Sequence, residues 1–308
     1  MKLTGPRVRT RVAGVAVALA LAGGGTAALA AGNATHSAAQ PAARHDAVLA
    51  VEAHTSLLRY LSKNKGWNIP VPGGGPHGVT PSTVNASAGP HGGTDDSFNW
   101  SGYADSTTTT GAFTAVSGSW AQPVTTCTPE QRLTAFWVGL DGFANSTVEQ
   151  DGTLAYCFEG QPYYFTWWEM YPGGSVTVGS TVRPGDLISA SVKRSGTAYT
   201  LAVSDLLNPA NSFSIVQDCP ALTCEDQSAE WIAERPAFSI GITPLATFAN
   251  WTLFDASRTA NGVKGSIASG PNSSAIDIID ATETYPLDTV SGLSFGGTSF
   301  TAHWLNSY

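Results

Sequence analysis

From Phe98 onwards the sequence consists of short runs rich in Val, Thr, Phe, Tyr and Trp, separated by clusters of Gly, Pro, Asn and Asp. No stretch of this region keeps the 3.6-residue period of an amphipathic helix. Such a sequence buries its apolar side chains by pairing many short strands, as in a sandwich or barrel. We therefore predict an all-β domain, with strands near residues 112–122, 133–140, 162–171, 187–193, 211–217, 250–254, 275–279 and 300–304.

The most informative predicted strand is 162–171, because it is aromatic at both odd and even positions. Successive side chains of a strand point to opposite faces of the sheet. One face would therefore carry Tyr163, Phe165, Trp167, Glu169 and Tyr171. A strand that is apolar on both faces belongs in the middle of a sheet. We expect one of its faces to lie in the core and the other to line a groove.

The N-terminal 95 residues differ from the rest of the chain in charge. They hold eight basic and three acidic side chains, whereas residues 96–308 hold seven basic and twenty acidic ones. Residues 2–11 carry four basic side chains, an apolar run follows from Val12 to Ala22, and small residues occupy positions 28 and 30. This is the pattern of a secretory signal peptide, predicted here at 1–30. The apolar run is too short for a membrane anchor, so we expect a secreted, extracellular protein without membrane association after processing.

Residues 31–95 have the pattern of a propeptide. Leucines and valines at helical spacing predict a short amphipathic helix over 46–63. Residues 66–95 then contain 8 Gly and 5 Pro, which is typical of a linker. We interpret this segment as a propeptide that inhibits the mature domain, predicted at 96–308. A disordered extension that is simply trimmed is the alternative.

All four cysteines lie in the predicted mature domain. An even number of cysteines in an exported chain favours disulfide bonds, and three pairings are possible. Cys219 and Cys224 close a short loop, so we expect them to pair and to leave Cys127 for Cys157. No CxxC spacing or cluster of nitrogen and sulfur ligands is present, so we expect no metal site.

Charge and motifs exclude several classes of function. The formal net charge of −8 disfavours nucleic acid as a partner, and the chain lacks a GxxxxGK[ST] phosphate loop. Five of the six histidines lie in residues 1–95, which leaves only His303 in the predicted mature domain. Histidine-dependent catalysis and an HExxH zinc centre are therefore disfavoured, and no cofactor is expected.

Carboxylates remain as candidate catalytic groups. Glu169 lies on the aromatic strand, and Glu230 and Glu234 would share one face of a strand with Ile232 between them. Two carboxylates across an aromatic groove would suit a glycosidase, for example Glu169 with Glu234. A single carboxylate that activates water would suit an acid peptidase. A carbohydrate-binding sandwich without catalytic activity is a third alternative, and composition does not separate the three.

Six segments between residues 98 and 255 form an ordered set. They are NWSGY (99–103), WVGLDG (137–142), EQDGT (149–153), WWEMYP (167–172), PGD (184–186) and AEWIAERP (229–236). Together they resemble the glutamic peptidases, or eqolisins, a family of secreted endopeptidases that act in acid. The resemblance implies a sandwich of two curved antiparallel sheets whose concave face binds an extended polypeptide substrate.

The resemblance also implies a catalytic dyad of Gln150 and Glu234. As a carboxylate, Glu234 would take a proton from the attacking water and then deliver it to the leaving amine. The side-chain amide of Gln150 would donate a hydrogen bond to the oxyanion, which is worth roughly 3–4 kcal/mol. The residues expected to line or support the groove are Trp137, Asp141, Trp167, Glu169 and Tyr171.

Overall fold

Strands account for nearly all regular structure in the computed structural model, which describes residues 79–80, 94–143, 145–219, 224–238, 241–270 and 272–308. These ranges contain two short 3-10 helices and no α-helix. None of their helices has the length and apolar character needed to cross a bilayer. The predicted signal peptide, the predicted helix over 46–63 and most of the predicted linker lie outside the described residues.

The elements follow one another along the chain with short connections. The strands up to the middle of the domain are β1 (Val79–Thr80), β2 (Thr94–Ser97), β3 (Trp100–Ser106), β4 (Phe113–Ala121), β5 (Thr125–Thr126), β6 (Arg132–Leu140), β7 (Val148–Phe158), β8 (Gln161–Tyr171), β9 (Val176–Thr177), β10 (Leu187–Ser195) and β11 (Ala198–Asp205). The remaining strands are β12 (Phe213–Asp218), β13 (Ser228–Glu234), β14 (Ala237–Phe238), β15 (Gly241–Ile242), β16 (Thr247–Phe248), β17 (Trp251–Ala260), β18 (Val263–Gly265), β19 (Ser273–Ile279), β20 (Pro286–Val290) and β21 (Phe300–Trp304). The 3-10 helices are Pro209–Asn211 and Ile267–Ser269.

The first of two sheets, the front sheet, has the strand order β9-β8-β7-β6-β13-β3-β19, with every neighbour antiparallel. Beyond it, β2 pairs in parallel with β19, and β1 pairs antiparallel with β2. Residues 79–80 and 94–95 of the predicted linker are therefore strands at a sheet edge. Backbone hydrogen bonds allow this pairing in a Gly- and Pro-rich segment, because they require no particular side chain.

The second sheet, the back sheet, has the order β12-β11-β10-β4-β17-β21. Strand β20 pairs with both β19 and β21 and so joins the two sheets at one edge. Side-chain hydrogen bonds also cross the interior: the indole N–H of Trp120 donates to Thr153 at 3.3 Å, and that of Trp231 donates to the Ser117 carbonyl at 2.9 Å. The protein is a β-sandwich, as predicted.

Two apolar clusters lie on the two faces of the front sheet. The larger one lies between the sheets and includes Trp120, Val138, Leu201, Trp231 and Trp251. The second contains front-sheet residues on the opposite, outer face, among them Trp100, Trp137, Phe165 and Trp167. The outer face of the front sheet is therefore apolar, as the groove interpretation of the 162–171 strand predicted.

The predicted strands are all present, but β17 extends to Ala260, six residues beyond its predicted end, and β7 was not predicted. Both disulfides pair as expected. Cys127–Cys157 and Cys219–Cys224 have Cα–Cα distances of 5.4 and 6.0 Å, within the usual range for disulfide bonds. The first bond ties the end of β7 to the segment before β6. Strand β8 has its two aromatic faces in the two clusters, but it pairs along its length only with β7 and meets β9 only at Trp167 and Trp168, so it lies next to the sheet edge and not in the middle of the sheet as predicted.

A buried acid where β20 joins the two sheets should make the fold more stable in acid than at neutral pH. Asp288 has no exposed surface and accepts a hydrogen bond from the Ser101 hydroxyl. Burial raises the pKa of Asp288 to about 7, with a further contribution from Asp277. In the unfolded chain the Asp288 carboxyl has an ordinary pKa near 4, so it binds a proton less tightly than in the folded protein. The stabilisation by protonated Asp288 is therefore lost as the pH rises from about 4 to 7.

We expect Asp288→Asn to remove much of that pH dependence. The free energy of unfolding from urea titrations at pH 4 and pH 7 should differ less in the variant, by up to about 4 kcal/mol. Any fixed cost of the new amide enters at both pH values and cancels in this comparison. An unchanged difference between the two pH values would show that Asp288 does not titrate in this range.

Candidate active site

The pairing of β13 with β3 and β6 decides which of its side chains reach the outer face. Glu234 lies opposite Trp100 on β3 and Ala135 on β6, and both neighbours belong to the outer cluster. Glu230 and Ile232 lie on the same face, because they are four and two residues away. The predicted alternation of this strand is confirmed, and Glu234 is on the face that carries the tryptophans.

Glu234 is a fully buried carboxyl group held by an indole. The Nε1–H of Trp137 donates to its Oε2 at 2.8 Å, whereas its Oε1 has no hydrogen-bond partner in the described part of the chain. Burial raises the pKa of Glu234 to about 8. The Trp137 hydrogen bond and the neighbouring Trp100 and Asn99 side chains act in the opposite direction. The site therefore combines a strong desolvation cost with donors that favour the ionised form.

Gln150 lies on β7 in the same face. It is opposite Gly139 on β6 and Glu169 on β8, and its Nε2–H donates to Glu169 Oε2 at 2.8 Å. Its Oε1 is without a partner among the described residues. A Cβ on Gly139 would lie 2.8 Å from the Trp137 ring and 3.3 Å from the Gln150 Cβ, so glycine makes room for both side chains.

Three tryptophans surround these two polar groups. Trp100 meets Trp137 edge-on with 5.0 Å between the ring centroids, and Trp167 lies opposite Gly152 on the neighbouring strand. The indole nitrogens of Trp100 and Trp167 are buried and have no hydrogen-bond partner within the described ranges. Buried N–H groups of this kind are costly unless they are used, so they are candidate donors to the carbonyl groups of a bound peptide.

The predicted groove residues do not all take the same position. Trp137, Trp167 and Glu169 lie on the outer face with the dyad, and Tyr171 is partly buried at the end of β8. Asp141 instead follows β6, with a left-handed φ of 67°, and has no exposed surface. Its carboxylate accepts the backbone N–H groups of residues 226 and 227, both at 2.7 Å. Asp141 therefore supports the site by fixing the segment that leads into β13.

Two neighbours of Glu234 had no individual role in the sequence interpretation. Asn99 and Trp100 reach Glu234 because β3 pairs with β13 in the observed register. Their side-chain nitrogens are buried and without partners in the part of the chain that is described. The NWSGY segment pointed to this region, but only the register between two strands 130 residues apart shows which of its residues faces the carboxyl group.

The order of the strands and the arrangement of Gln150, Glu234 and the tryptophans can be compared with known proteins. The model of the peptidase A4 family matches residues 98–303, about two thirds of the chain. The chain belongs to the peptidase A4 family. This is the family of glutamic peptidases, and the protein is therefore a glutamic-type peptide-bond hydrolase. The two alternatives, a carbohydrate-binding sandwich and a glycosidase, are set aside by this membership.

Solved structures show the same fold. Scytalido-glutamic peptidase with a transition state analog inhibitor has a TM-score of 0.56 and 23% sequence identity, over 67% of this chain and 98% of that one. SCP-B, described as a member of the eqolisin family in a complex with the tripeptide Ala-Ile-His, has a TM-score of 0.53 and 21% identity over the same shares of the two chains. A search of curated proteins finds no significant match.

Proposed function

We propose that this protein is a secreted endopeptidase that acts in acid, uses Gln150 and Glu234 as its catalytic dyad, and is made as an inactive precursor. The proposal rests on the shared outer face of these two residues in a chain of the A4 family, and Glu230 is the alternative carboxyl group because it, and not Glu234, lies in one row with Gly139 and Gln150. Each has a partner that fixes its orientation: Trp137 for Glu234, and Glu169 for Gln150.

The dyad supplies the groups that peptide hydrolysis requires. Ionised Glu234 takes a proton from water while the water oxygen forms a bond to the scissile carbonyl carbon. The Gln150 amide carries two N–H groups, so that one can donate to Glu169 and the other to the oxyanion. Protonated Glu234 then gives its proton to the nitrogen as the C–N bond breaks. Both steps use residues of this chain alone.

The precursor state is supported by the complete burial of the dyad. Gln150 and Glu234 have no exposed surface in the 308-residue chain, so a polypeptide cannot reach them there. With a pKa of about 8, Glu234 is also protonated in acid in this state and cannot act as a base. Access of water would remove the desolvation that raises this pKa. We propose residues 31–95 as the inhibitor of the mature domain.

The structure also bears on where a precursor would be cut. The predicted boundary at 95/96 falls inside β2, which pairs with β19 along Thr94–Ser97. A peptidase binds its substrate as an extended chain, so a strand must separate from its sheet before it can be cut. Such separation is unfavourable for β2, because it is paired and Ser97 is buried. We therefore propose that the cut precedes Thr94, within the Gly- and Pro-rich residues 81–93.

Incubation of the purified precursor at about pH 4, followed by N-terminal sequencing, tests the proposal. We expect self-cleavage before Thr94 and the appearance of activity against a protein substrate. Matched precursors with Glu234→Gln or Gln150→Ala should stay uncut when incubated alone. Cleavage of all three precursors would point to a contaminating peptidase, and an active protein that retains residues 31–95 would contradict the inhibitory role.

A further inference from the structure

Three carboxyl groups outside the dyad meet at one buried point. Asp141 follows β6, Glu149 lies on β7 and Asp226 precedes β13. Each offers an oxygen, and these oxygens all lie within 4.8 Å of one another. The three residues are 0–1% exposed, so water does not screen their charges.

The charges in this cluster are not balanced by the side chains around it. Among the described residues, Arg194 makes the single ion pair to the cluster, with its Nη1 3.1 Å from Asp226 Oδ2. The Tyr199 hydroxyl donates to Asp226 Oδ1 at 2.8 Å and carries no charge. One guanidinium leaves two of the three negative charges uncompensated. Buried ionised carboxylates are costly without partners or a bound cation.

Glu149 points to a missing partner. Neither of its carboxyl oxygens has a hydrogen-bond partner within the described ranges, although the residue has no exposed surface. A fourth buried carboxyl, Glu230, also interacts electrostatically with Asp141 and Glu149. Asp141 and Asp226 accept hydrogen bonds from neighbouring N–H and O–H groups, whereas both carboxyl oxygens of Glu149 have no donor in the described part of the chain.

We propose that Asp141, Glu149 and Asp226 form a structural binding site for a divalent cation, with Ca²⁺ as the occupant. Carboxylate oxygens are the ligands of hard cations, and Ca²⁺–O distances of about 2.3–2.6 Å place neighbouring ligand oxygens within about 5 Å of each other. Ca²⁺ accepts irregular arrangements of ligands, whereas Mg²⁺ requires near-octahedral geometry. A divalent charge also equals the two uncompensated negative charges.

The position of the site indicates what the cation would do. Its three ligands come from the end of β6, the start of β7 and the segment before β13. These are the strands that carry Trp137, Gln150 and Glu234. The Arg194 side chain, which pairs with Asp226, is 29% exposed, so the cluster lies close to the protein surface on this side. The cation would hold the three strands together from behind the dyad.

Calcium binding can be measured on the full chain without any assay of peptidase activity. After treatment with chelator and dialysis at pH 7, CaCl₂ should raise the Tm in a saturable way. Tb³⁺ should bind at one site per chain, emit through energy transfer from nearby aromatic rings such as Tyr199, and be displaced by Ca²⁺. Glu149→Gln should weaken Ca²⁺ binding by about tenfold or more, because it removes a charged ligand at nearly constant shape.

Asp277→Asn is the matched control, since it removes one partly buried carboxylate of β19 outside the cluster. It should keep the full response to Ca²⁺. If Glu149→Gln does not fold, the stoichiometry and Ca²⁺ displacement of Tb³⁺ in the unmodified chain decide the question. Absence of a saturable Tm rise and of Tb³⁺ emission, or equal Ca²⁺ affinity of the unmodified chain and a folded Glu149→Gln variant, would overturn the site. Either result leaves the peptidase proposal untouched.

Discussion

Glu234→Gln will lower kcat of the activated protein by about 10³-fold or more, because one residue provides both the general base and the general acid. Gln is nearly the same size and can still accept the Trp137 N–H, so the fold and the substrate groove should persist. The measurement is hydrolysis of a protein or quenched peptide substrate at acid pH, with the variant activated by a small amount of active enzyme that is then removed.

Two further variants show whether the loss comes from the dyad. Gln150→Ala removes the oxyanion donor and should cost about 10²–10³ in kcat with a smaller change in KM. Glu230→Gln changes the buried glutamate of the same strand and face that lies in one row with Gly139 and Gln150, so it tests directly which of the two glutamates is catalytic. Substantial activity of Glu234→Gln, with Glu230→Gln inactive, would exchange the roles of the two glutamates and refute the proposed mechanism.

The sequence predicted the features that depend on local patterns. The two-residue period of β8 and β13 correctly assigned Trp167, Glu169, Glu230 and Glu234 to faces, because alternation is a property of any strand. Loop length favoured Cys219–Cys224, and the structure confirms it. The resemblance supplied Gln150, which alternation alone would have left as an ordinary polar residue.

Local sequence patterns did not predict the contacts between strands that are distant in the chain. Asp141 was expected to line or support the groove, and its supporting position is fixed by the loop that leads into β13, 85 residues further along the chain. The same loop creates the cluster with Glu149, whereas the expectation of no metal rested on histidine and cysteine alone. The partner of Asp105 lies 153 residues away and on the other sheet. Register and sheet packing, which no short motif encodes, decide these contacts.

Loss of the ion pair between Asp105 and Arg258 should have the largest effect on stability. Asp105 on β3 pairs with Arg258 on β17 across the interior, with 2.5 Å between Nε and Oδ2 and side chains that are 0% and 6% exposed. Arg258→Met leaves the carboxylate buried without its cation, which should cost about 3–5 kcal/mol at pH 7. The measurement is the free energy of unfolding from urea titration, with the m-value checked for a change in the unfolded state.

A double variant that removes the charges of both Asp105 and Arg258 separates the cost of a buried, unpaired carboxylate from the cost of lost packing. Burial raises the pKa of Asp105 and Arg258 lowers it, so the lone carboxyl of Arg258→Met should take up a proton in acid. The loss should therefore be smaller at pH 4 than at pH 7, and Asp105→Asn/Arg258→Met should regain part of it at pH 7. Arg132→Met, which breaks a pair with the half-exposed Glu130, should cost much less than Arg258→Met. Equal losses in Arg258→Met and Arg132→Met would mean that the interior pair contributes no more than a surface pair, and that packing alone holds the two sheets together at this point.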